Sequence, residues 1–233
     1  MVTDENFLFP LPPVASLPIR GERRRFPVRR IFCVGRNYAA HAAEMGGRAD
    51  KDEPFYFTKS AAHLIGSGTT IAYPPGTANL HHEIELVAAL GAPAFELRAD
   101  QVPAVVFGYA CGLDLTRRDL QNRARDAGRP WDLGKDFEDA AVVSEIVPAS
   151  VIGHPARGEI TLAVNGAMRQ KGDIGDMVNS VTELLVHLSR FYHLDAGDLL
   201  FTGTPSGVGP VVAGDRLEGA VEGVGRIALD VRT

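Results

Sequence analysis

Residues 79–87 read NLHHEIELV, and this stretch decides how the rest of the chain is interpreted. Its alternating apolar residues predict a strand, in which side chains two apart point to the same face. Glu83 and Glu85 are therefore expected side by side, with Ile84 and Leu86 packed behind them. At about 4 Å and an effective dielectric near 20, two such charges repel by roughly 4 kcal/mol, so a compensating cation is expected.

A third carboxylate, Asp114, follows the apolar run 105–113, VVFGYACGL, which predicts a buried strand. Three carboxylates with no cysteine or histidine cluster make an all-oxygen site, which suits Mg²⁺, Mn²⁺ or Ca²⁺ rather than Zn²⁺. The alternative is a solvated strand edge whose two glutamates face water, because Glu-x-Glu is a short and common pattern.

A second candidate group lies in a predicted short helix over residues 39–45. His41 and Glu44 are three residues apart there and so lie on one helix face. A carboxylate that holds an imidazole is a general-base arrangement, although an ordinary surface contact between the two is the alternative. The polar, glycine-containing residues 46–53 predict a surface loop that could move.

Composition excludes several classes of function. The chain has 233 residues, enough for one substantial core. It contains 24 Lys plus Arg against 29 Asp plus Glu, and because this balance is mildly acidic, nucleic acid is not an expected partner. Cys33 and Cys111 lie in apolar runs, where a thiol usually serves as a small hydrophobe. The first 13 residues lack a secretory pattern and no apolar run approaches the about 20 residues that span a bilayer, so we expect a cytoplasmic protein without a membrane partner.

Short strands outnumber helices along the chain, which predicts a mainly β fold with a few outer helices. Residues 1–28 contain five prolines and are expected to form an extended arm with little regular structure, whereas residues 29–233 form the catalytic domain. Lys135 is expected outside any helix, at a buried edge. The other predicted elements are strands over 28–34, 55–59 and 199–201, a hairpin over 159–170 that turns at Asn165-Gly166, a helix from 116 to about 128, and a helix over 180–192.

Seven separate stretches together resemble the fumarylacetoacetate hydrolase superfamily. They span most of the chain and begin at residues 35 (GRNYAAHAAEMG), 54 (PFYFTK), 79 (NLHHEIEL), 108 (GYACGLDLTRRDLQ), 131 (WDLGKDF), 164 (VNGAMRQ) and 199 (LLFTGTPSGVG). The chain is most similar to the short acylpyruvate hydrolase subgroup, and within it to the fumarylpyruvate hydrolases of gentisate breakdown.

The resemblance implies a set of roles. Glu83, Glu85 and Asp114 would hold Mg²⁺ or Mn²⁺. The family's lid dyad falls on His41 and Glu44, and its site lysine on Lys135. Its polar substrate contacts fall on Arg118, Gln121 and Thr204. The fold implied is a mixed β-roll, usually assembled as a homodimer.

The implied reaction is hydrolysis of the C3–C4 bond of a 2,4-diketo acid, with fumarylpyruvate giving fumarate and pyruvate. The second carboxylate of that substrate needs a cation, for which Arg117 is the first candidate and Arg36 the second.

Other activities stay open at this point. A general acylpyruvase uses the same residues without recognising a second carboxylate. An oxaloacetate decarboxylase needs no attacking water, and a keto-acid isomerase or hydratase shares the metal site. A non-catalytic divalent-ion-binding β domain would leave the dyad and Lys135 without a purpose.

Overall fold

The protein is described by a computed structural model over residues 7–44, 46 and 50–233. Met45 and residues 47–49, on which part of the predicted helix and loop falls, lie outside the described residues, as do residues 1–6. The strands are β1 Ser16–Pro18, β2 Arg25–Pro27, β3 Arg30–Val34, β4 Tyr56–Lys59, β5 Leu64–Gly66, β6 Thr69–Ala72, β7 Leu80–His82, β8 Ile84–Leu90, β9 Val106–Asp114, β10 Thr116–Arg117, β11 Ala141–Val143, β12 Val147–Pro148, β13 Glu159–Val164, β14 Ala167–Asp173, β15 Asp198–Phe201, β16 Gly209–Val211, β17 Arg216–Val221 and β18 Gly225–Arg232. The helices are α1 Ala39–Glu44, α2 Val102–Val105, α3 Arg118–Asp126, α4 Asp132–Lys135, α5 Ala149–Ile152 and α6 Val181–Leu188, with short 3₁₀ turns at Ala61–His63, Ala99–Gln101 and Ile174–Asp176.

Two mixed sheets form the body of the fold. The larger has the order β4-β3-β15-β8-β9-β11-β5, with β12 paired to β9, and the second has the order β14-β13-β17-β18-β6. Most neighbours are antiparallel, whereas β15–β3, β11–β5 and β18–β6 are parallel. The prediction of a mainly β fold, a curled mixed sheet with few helices, is confirmed.

Strand β8 is buried on both faces, which explains its uninterrupted apolar sequence. Ile84, Leu86, Ala88 and Leu90 belong to the larger hydrophobic cluster, between the sheets, and Val87 and Ala89 belong to a second one. Glu85 is on the Val87 face, 1% exposed. The strand therefore places the Glu85 carboxylate in the interior of the protein, away from solvent.

The predicted strand over 79–87 is interrupted at Glu83. Its first half, β7, pairs with β10 and β16 in a small separate sheet, and its second half, β8, enters the large sheet. At the break, the Gln170 side-chain oxygen accepts a hydrogen bond from the Ile84 amide at 3.1 Å. A side chain thus replaces a ladder bond, and Glu83 sits where the chain passes from one sheet to the other.

The N-terminal segment is expected to have little regular structure, and within it two three-residue strands attach to the core. Strands β1 and β2 pair antiparallel, and Leu17, Phe26 and Val28 are buried in the second hydrophobic cluster. Alternation decides this outcome, because each of the two strands buries its central residue and exposes its prolines and arginines. The division into an arm and a catalytic domain stays a prediction.

Three local predictions need correction. Thr116–Arg117 forms β10, so the helix expected from residue 116 starts at Arg118. Lys135 lies at the end of a one-turn helix, α4, and not outside a helix. Helix α6 ends at Leu188, so it is shorter than the helix predicted over 180–192, and Phe191, beyond its end, is 67% exposed.

The hairpin prediction is confirmed. Strands β13 and β14 are joined by Asn165 and Gly166, with φ of 51° and 77°. Positive φ at both central residues is the geometry of the tightest hairpin turns, which Asn-Gly favours. No helix among the described residues is long and apolar enough to cross a membrane.

We expect Leu17→Ala to lower the free energy of unfolding by about 2–5 kcal/mol, the usual cost of truncating a buried leucine. Leu17 is 1% exposed and packs in the second cluster. The control is Val14→Ala, at a residue that is 72% exposed. Equal unfolding midpoints in urea for both variants would show that β1 does not contribute to the core.

Candidate active site

The predicted carboxylates meet in one buried cluster. Glu83 lies at the β7–β8 break, Glu85 on β8 and Asp114 at the end of β9. Strands β8 and β9 pair antiparallel, with Glu85 opposite Gly112. Asp114 lies two residues after Gly112 on β9, so its side chain points to the same face of the sheet as Glu85. One ligand atom from each carboxylate lies within 4.8 Å of the others, and the three residues are at most 4% exposed. The alternative of a solvated strand edge is therefore wrong.

Lys135 contacts two of the three carboxylates. Its Nζ donates to Asp114 Oδ2 at 2.6 Å, to Glu83 Oε2 at 2.8 Å and to Thr116 Oγ1 at 2.8 Å. All of these groups are buried. The ammonium group thus compensates the carboxylate charges from inside the cluster. Such compensation is necessary because a buried charge without a partner is strongly destabilising.

A second buried lysine, Lys59, supports the same cluster and was missed as a site residue. Its Nζ lies 2.8 Å from Asp114 Oδ1. It also donates to the backbone carbonyls of Leu115, at 3.1 Å, and of Lys135. Lys59 therefore links a carboxylate to the backbone that presents the other lysine. The sequence signal was a lysine at the end of an otherwise aromatic strand.

The environment separates the protonation behaviour of the two glutamates. Burial acts to raise the pKa of Glu83, but the charges of Lys135 and Arg118 outweigh it and hold that pKa well below its usual range. Burial, together with the negative charges of Asp114 and Glu83, raises the pKa of Glu85 well above its usual range. Without a further cation, Glu85 is the carboxyl that keeps a proton.

The residues present fit a divalent metal ion. Asp114 Oδ1 is buried and, despite its close approach to Lys59, accepts no hydrogen bond from any described residue. Glu85 receives only the Gly203 amide, at 2.6 Å, among the described hydrogen bonds. A buried set of three carboxylates, one of which has a raised pKa, is an all-oxygen donor set of the kind that hard divalent cations prefer.

Two glycines allow the close approaches in the site. A Cβ at Gly134 would meet the Gln121 amide nitrogen at 2.8 Å, so only glycine lets α4 lie against α3. Gly203 has a φ of 91° and a Cβ there would meet the Asn37 side chain at 2.8 Å. The first contact places Lys135, and the second aims an amide at Glu85.

His41 and Glu44 come together on α1 as predicted. His41 Nδ1 lies 3.4 Å from Glu44 Oε2, and the Gly207 amide donates to the same carboxylate at 3.2 Å. His41 is 6% exposed and lines the cavity above the carboxylate cluster. Burial lowers the pKa of His41 below its ordinary value of 6.5, against the opposing effects of Glu83 and Glu44, so the imidazole is neutral at pH 7.

The predicted polar contacts also converge. Arg118 donates to Gln121 Oε1 and to Glu83 Oε1, and its Nε lies 3.3 Å from His81 Nδ1. Thr204 Oγ1 donates to the Ile84 carbonyl at 2.7 Å and accepts from Gln170 Nε2 at 2.8 Å. Gln170, which sequence reasoning did not single out, therefore orients Thr204 as well as closing the break at Glu83.

These side chains line a narrow cavity of about 40 Å³. Its lining includes His41, Glu83, Glu85, Arg118, Gln121, Lys135, Thr204 and also Arg36. Arg117 is absent from this lining: its guanidinium carbon lies 4.3 Å from the centroid of the Phe137 ring, with a long contact to the Leu133 carbonyl at 3.5 Å. The expectation that Arg117 holds the second carboxylate is corrected, because β10 turns this side chain away from the cavity.

Comparisons with known proteins agree with this geometry. Residues 30–232 match the family model described as fumarylacetoacetate (FAA) hydrolase C-terminal. The chain is 51% identical over 189 residues to a fumarylpyruvate hydrolase of Ralstonia sp, covering 80% of this chain and 98% of that one. It is 38% identical to an oxaloacetate tautomerase of Escherichia coli (strain K12), covering 85% and 90% of the two chains.

Among solved structures, the fold is similar to fumarylpyruvate hydrolase from Pseudomonas aeruginosa in complex with Mn²⁺ and pyruvate. The TM-score is 0.94 at 48% sequence identity, covering 97% of this chain and 99% of that one. The curled mixed β fold together with the buried three-carboxylate centre indicates a metal-dependent class of protein. The chain belongs to the fumarylacetoacetate hydrolase family.

We expect Glu85→Gln to raise the free energy of unfolding of the metal-free protein at pH 7. Burial and the neighbouring carboxylates raise the pKa of the folded Glu85 carboxyl, so the wild type must take up a proton on folding, a cost that the neutral amide avoids and that vanishes as the pH falls below the carboxyl's ordinary pKa. Asp114→Asn should cost about 3–5 kcal/mol, because it leaves Lys59 and Lys135 buried without their shared anion. The measurement is urea unfolding in the presence of a chelator. Equal losses for the two variants would contradict this charge assignment.

Proposed function

We propose that this chain is a divalent-metal-dependent hydrolase that cleaves the C3–C4 bond of a 2,4-diketo acid, with fumarylpyruvate as its substrate and fumarate and pyruvate as products. The observation that carries the proposal is the His41–Glu44 pair above the buried carboxylates, since hydrolysis, unlike decarboxylation or tautomerisation, needs a base for water. The 51% identity to a fumarylpyruvate hydrolase supports the choice of substrate.

Glu83, Glu85 and Asp114 would hold Mg²⁺ or Mn²⁺, and the Mn²⁺ named with the Pseudomonas aeruginosa structure supports this. When bound, such an ion supplies a Lewis acid for the carboxylate and 2-oxo oxygens of a diketo acid. Arg118, Gln121 and Thr204 line the same cavity and would orient that end of the substrate. Arg118 is held by its hydrogen bonds to Glu83 and Gln121, and Thr204 by its hydrogen bond to the Ile84 carbonyl.

His41 would take a proton from water while the hydroxyl oxygen bonds to C4. Glu44 holds the imidazole at Nδ1 and stabilises its positive charge as the proton arrives. Breaking the C3–C4 bond leaves the electron pair on the pyruvate side, where Lys135 supplies a fixed positive charge. A proton then returns to C3, which completes pyruvate and restores neutral His41.

The second candidate is oxaloacetate turnover, favoured by the 38% identity to an oxaloacetate tautomerase. That reaction needs proton transfer but no attacking water. Assays of the purified protein with fumarylpyruvate, acetylpyruvate and oxaloacetate, each with Mg²⁺, Mn²⁺ or a chelator, separate the candidates. We expect metal-dependent hydrolysis with the highest kcat/KM for fumarylpyruvate. Turnover of oxaloacetate alone would overturn the proposal.

We also infer a role in the cytoplasm, in the gentisate branch of aromatic breakdown, and assembly as a homodimer. The pathway and the dimer are what the resemblance of the sequence implies. Sedimentation of the purified protein tests the dimer, and growth of a deletion strain on gentisate tests the pathway.

We expect His41→Ala to lower kcat for fumarylpyruvate by about 10²- to 10⁴-fold, the usual contribution of a positioned general base. Glu44→Gln should give a similar loss, and the double variant little more, because the two side chains act as a unit. Metal affinity is the control and should be unchanged. Additive losses in the double variant would contradict a shared role.

The pH profile gives an independent check. The pKa of His41 lies below 6.5, so kcat/KM should fall as the pH drops through that pKa and the base becomes protonated. The contact with Glu44 raises this pKa, so Glu44→Gln should move the acid limb to lower pH. A limb that stays in place or moves to higher pH would assign it to another group.

A further inference from the structure

The narrow cavity continues into a wider groove of about 550 Å³. Arg36, Phe57, Trp131 and Lys135 line both spaces. Because Lys135 contacts the carboxylate cluster, the groove leads outward from the reacting end of a bound substrate. It is therefore where the acyl group beyond C4 would lie.

Cations at the reacting end are already engaged by carboxylates. Lys135 donates to Glu83 and Asp114, and Arg118 donates to Glu83. A second substrate carboxylate in the groove needs a different cation. Among the described residues, Arg36 is such a cation, because it forms no hydrogen bond or ion pair with any of them and its guanidinium carbon lies 5.7 Å from the centroid of the Phe55 ring.

The backbone at Arg36 is in the left-handed region, with a φ of 58°. Residues other than glycine and asparagine rarely adopt it, and such positions cluster at ligand sites. Here it brings a half-buried arginine to the junction of the two spaces. Asparagine tolerates the same backbone, which makes Arg36→Asn a substitution that removes the charge without added strain.

Helix α3 brings a second arginine to the same cavity. Arg118, Gln121 and Arg125 are spaced i, i+3 and i+7, hence on one helix face, and all three line the cavity. Arg125 Nε also lies 3.0 Å from Asp126 Oδ1, and its side chain is 36% exposed. The Arg125 side chain is therefore more exposed to solvent than that of Arg118.

Trp131 lines both spaces together with Arg36. Its ring meets Phe55 edge-on at 5.2 Å between centroids and lies 6.0 Å from Phe57. A planar, conjugated chain fits against such rings better than a puckered saturated one.

We propose that Arg36, with Arg125 as a second cation, binds a carboxylate at the far end of the substrate's acyl chain while Trp131 lies along that chain. This inference rests on the proposed function and deepens it, because it names the residues that recognise the planar, unsaturated acyl chain and its terminal carboxylate. Arg36, and not Arg117, is then the specificity-determining arginine.

The test uses the only tryptophan of the chain, Trp131, as a reporter within the proposed subsite. The Mg²⁺-loaded protein is saturated with oxalate, which occupies the metal end, and is titrated with fumarate while tryptophan fluorescence is followed. We expect saturable fumarate binding, about 10-fold weaker in Arg36→Asn because a charge-assisted hydrogen bond is lost. Crotonate, which has the same double bond but one carboxylate, should bind equally weakly to both proteins.

Matched variants separate the subsite from general charge effects. Arg125→Gln should weaken fumarate binding by a smaller factor, whereas Arg123→Gln, at an exposed residue on another face of α3, should leave it unchanged. Arg36→Lys should retain part of the affinity. Circular dichroism melts confirm that each variant is folded.

The outcomes distinguish the subsite from the proposed function. Equal fumarate affinity in folded Arg36→Asn and wild type, or no saturable binding to the wild type, overturns the subsite, even if fumarylpyruvate is hydrolysed. Weakened binding in Arg36→Asn supports the subsite, even if the wild type fails to hydrolyse fumarylpyruvate and the proposed function falls.

Discussion

Three carboxylates held within 4.8 Å of one another in a dry interior repel each other, and the rest of the structure is arranged around that repulsion. Two buried lysines reduce this repulsion: Lys135 lies inside the cluster and Lys59 contacts the other oxygen of Asp114. Glu85 answers it by keeping a proton, since burial and its neighbours raise its pKa. The balance is incomplete at Glu85, which among the described residues receives the Gly203 amide but no ion pair. A divalent ion would complete it.

The fold supplies each partner from a different element. The antiparallel pair β8–β9 brings the side chains of Glu85 and Asp114 close together. Glu83 lies where the chain passes from the small sheet into the large one, so it is next to both sheets. Helix α4 can deliver Lys135 only because Gly134 lets it lie against Gln121. Lys59 then binds the Lys135 carbonyl and Asp114 together. Stability and chemistry thus depend on the same contacts, because the lysine that compensates the cluster is the one proposed to stabilise charge in the reaction.

Local patterns were enough to predict part of this arrangement. The i, i+2 glutamates, the i, i+3 His41–Glu44 pair and the Asn165-Gly166 hairpin each depend on neighbours in sequence, and the structure confirms these placements. The break at Glu83 could not be predicted, because it depends on Gln170, 86 residues from Ile84. The same holds for Lys59, whose partner Asp114 comes from another strand. Arg117 was misplaced because adjacent arginines in sequence gave no sign that a strand ends between them. Arg125, in contrast, was accessible to sequence reasoning, since it shares a helix face with Arg118 and Gln121.

The central claim is that the buried carboxylates form a single divalent-metal site. Electron paramagnetic resonance of free Mn²⁺ measures it directly, by titrating the ion into metal-free protein. The account predicts one bound Mn²⁺ per chain for the wild type and at least about 10-fold weaker binding for Glu85→Gln, which removes one of three ligand charges. Absence of binding to the wild type, or equal binding to both proteins, would contradict it.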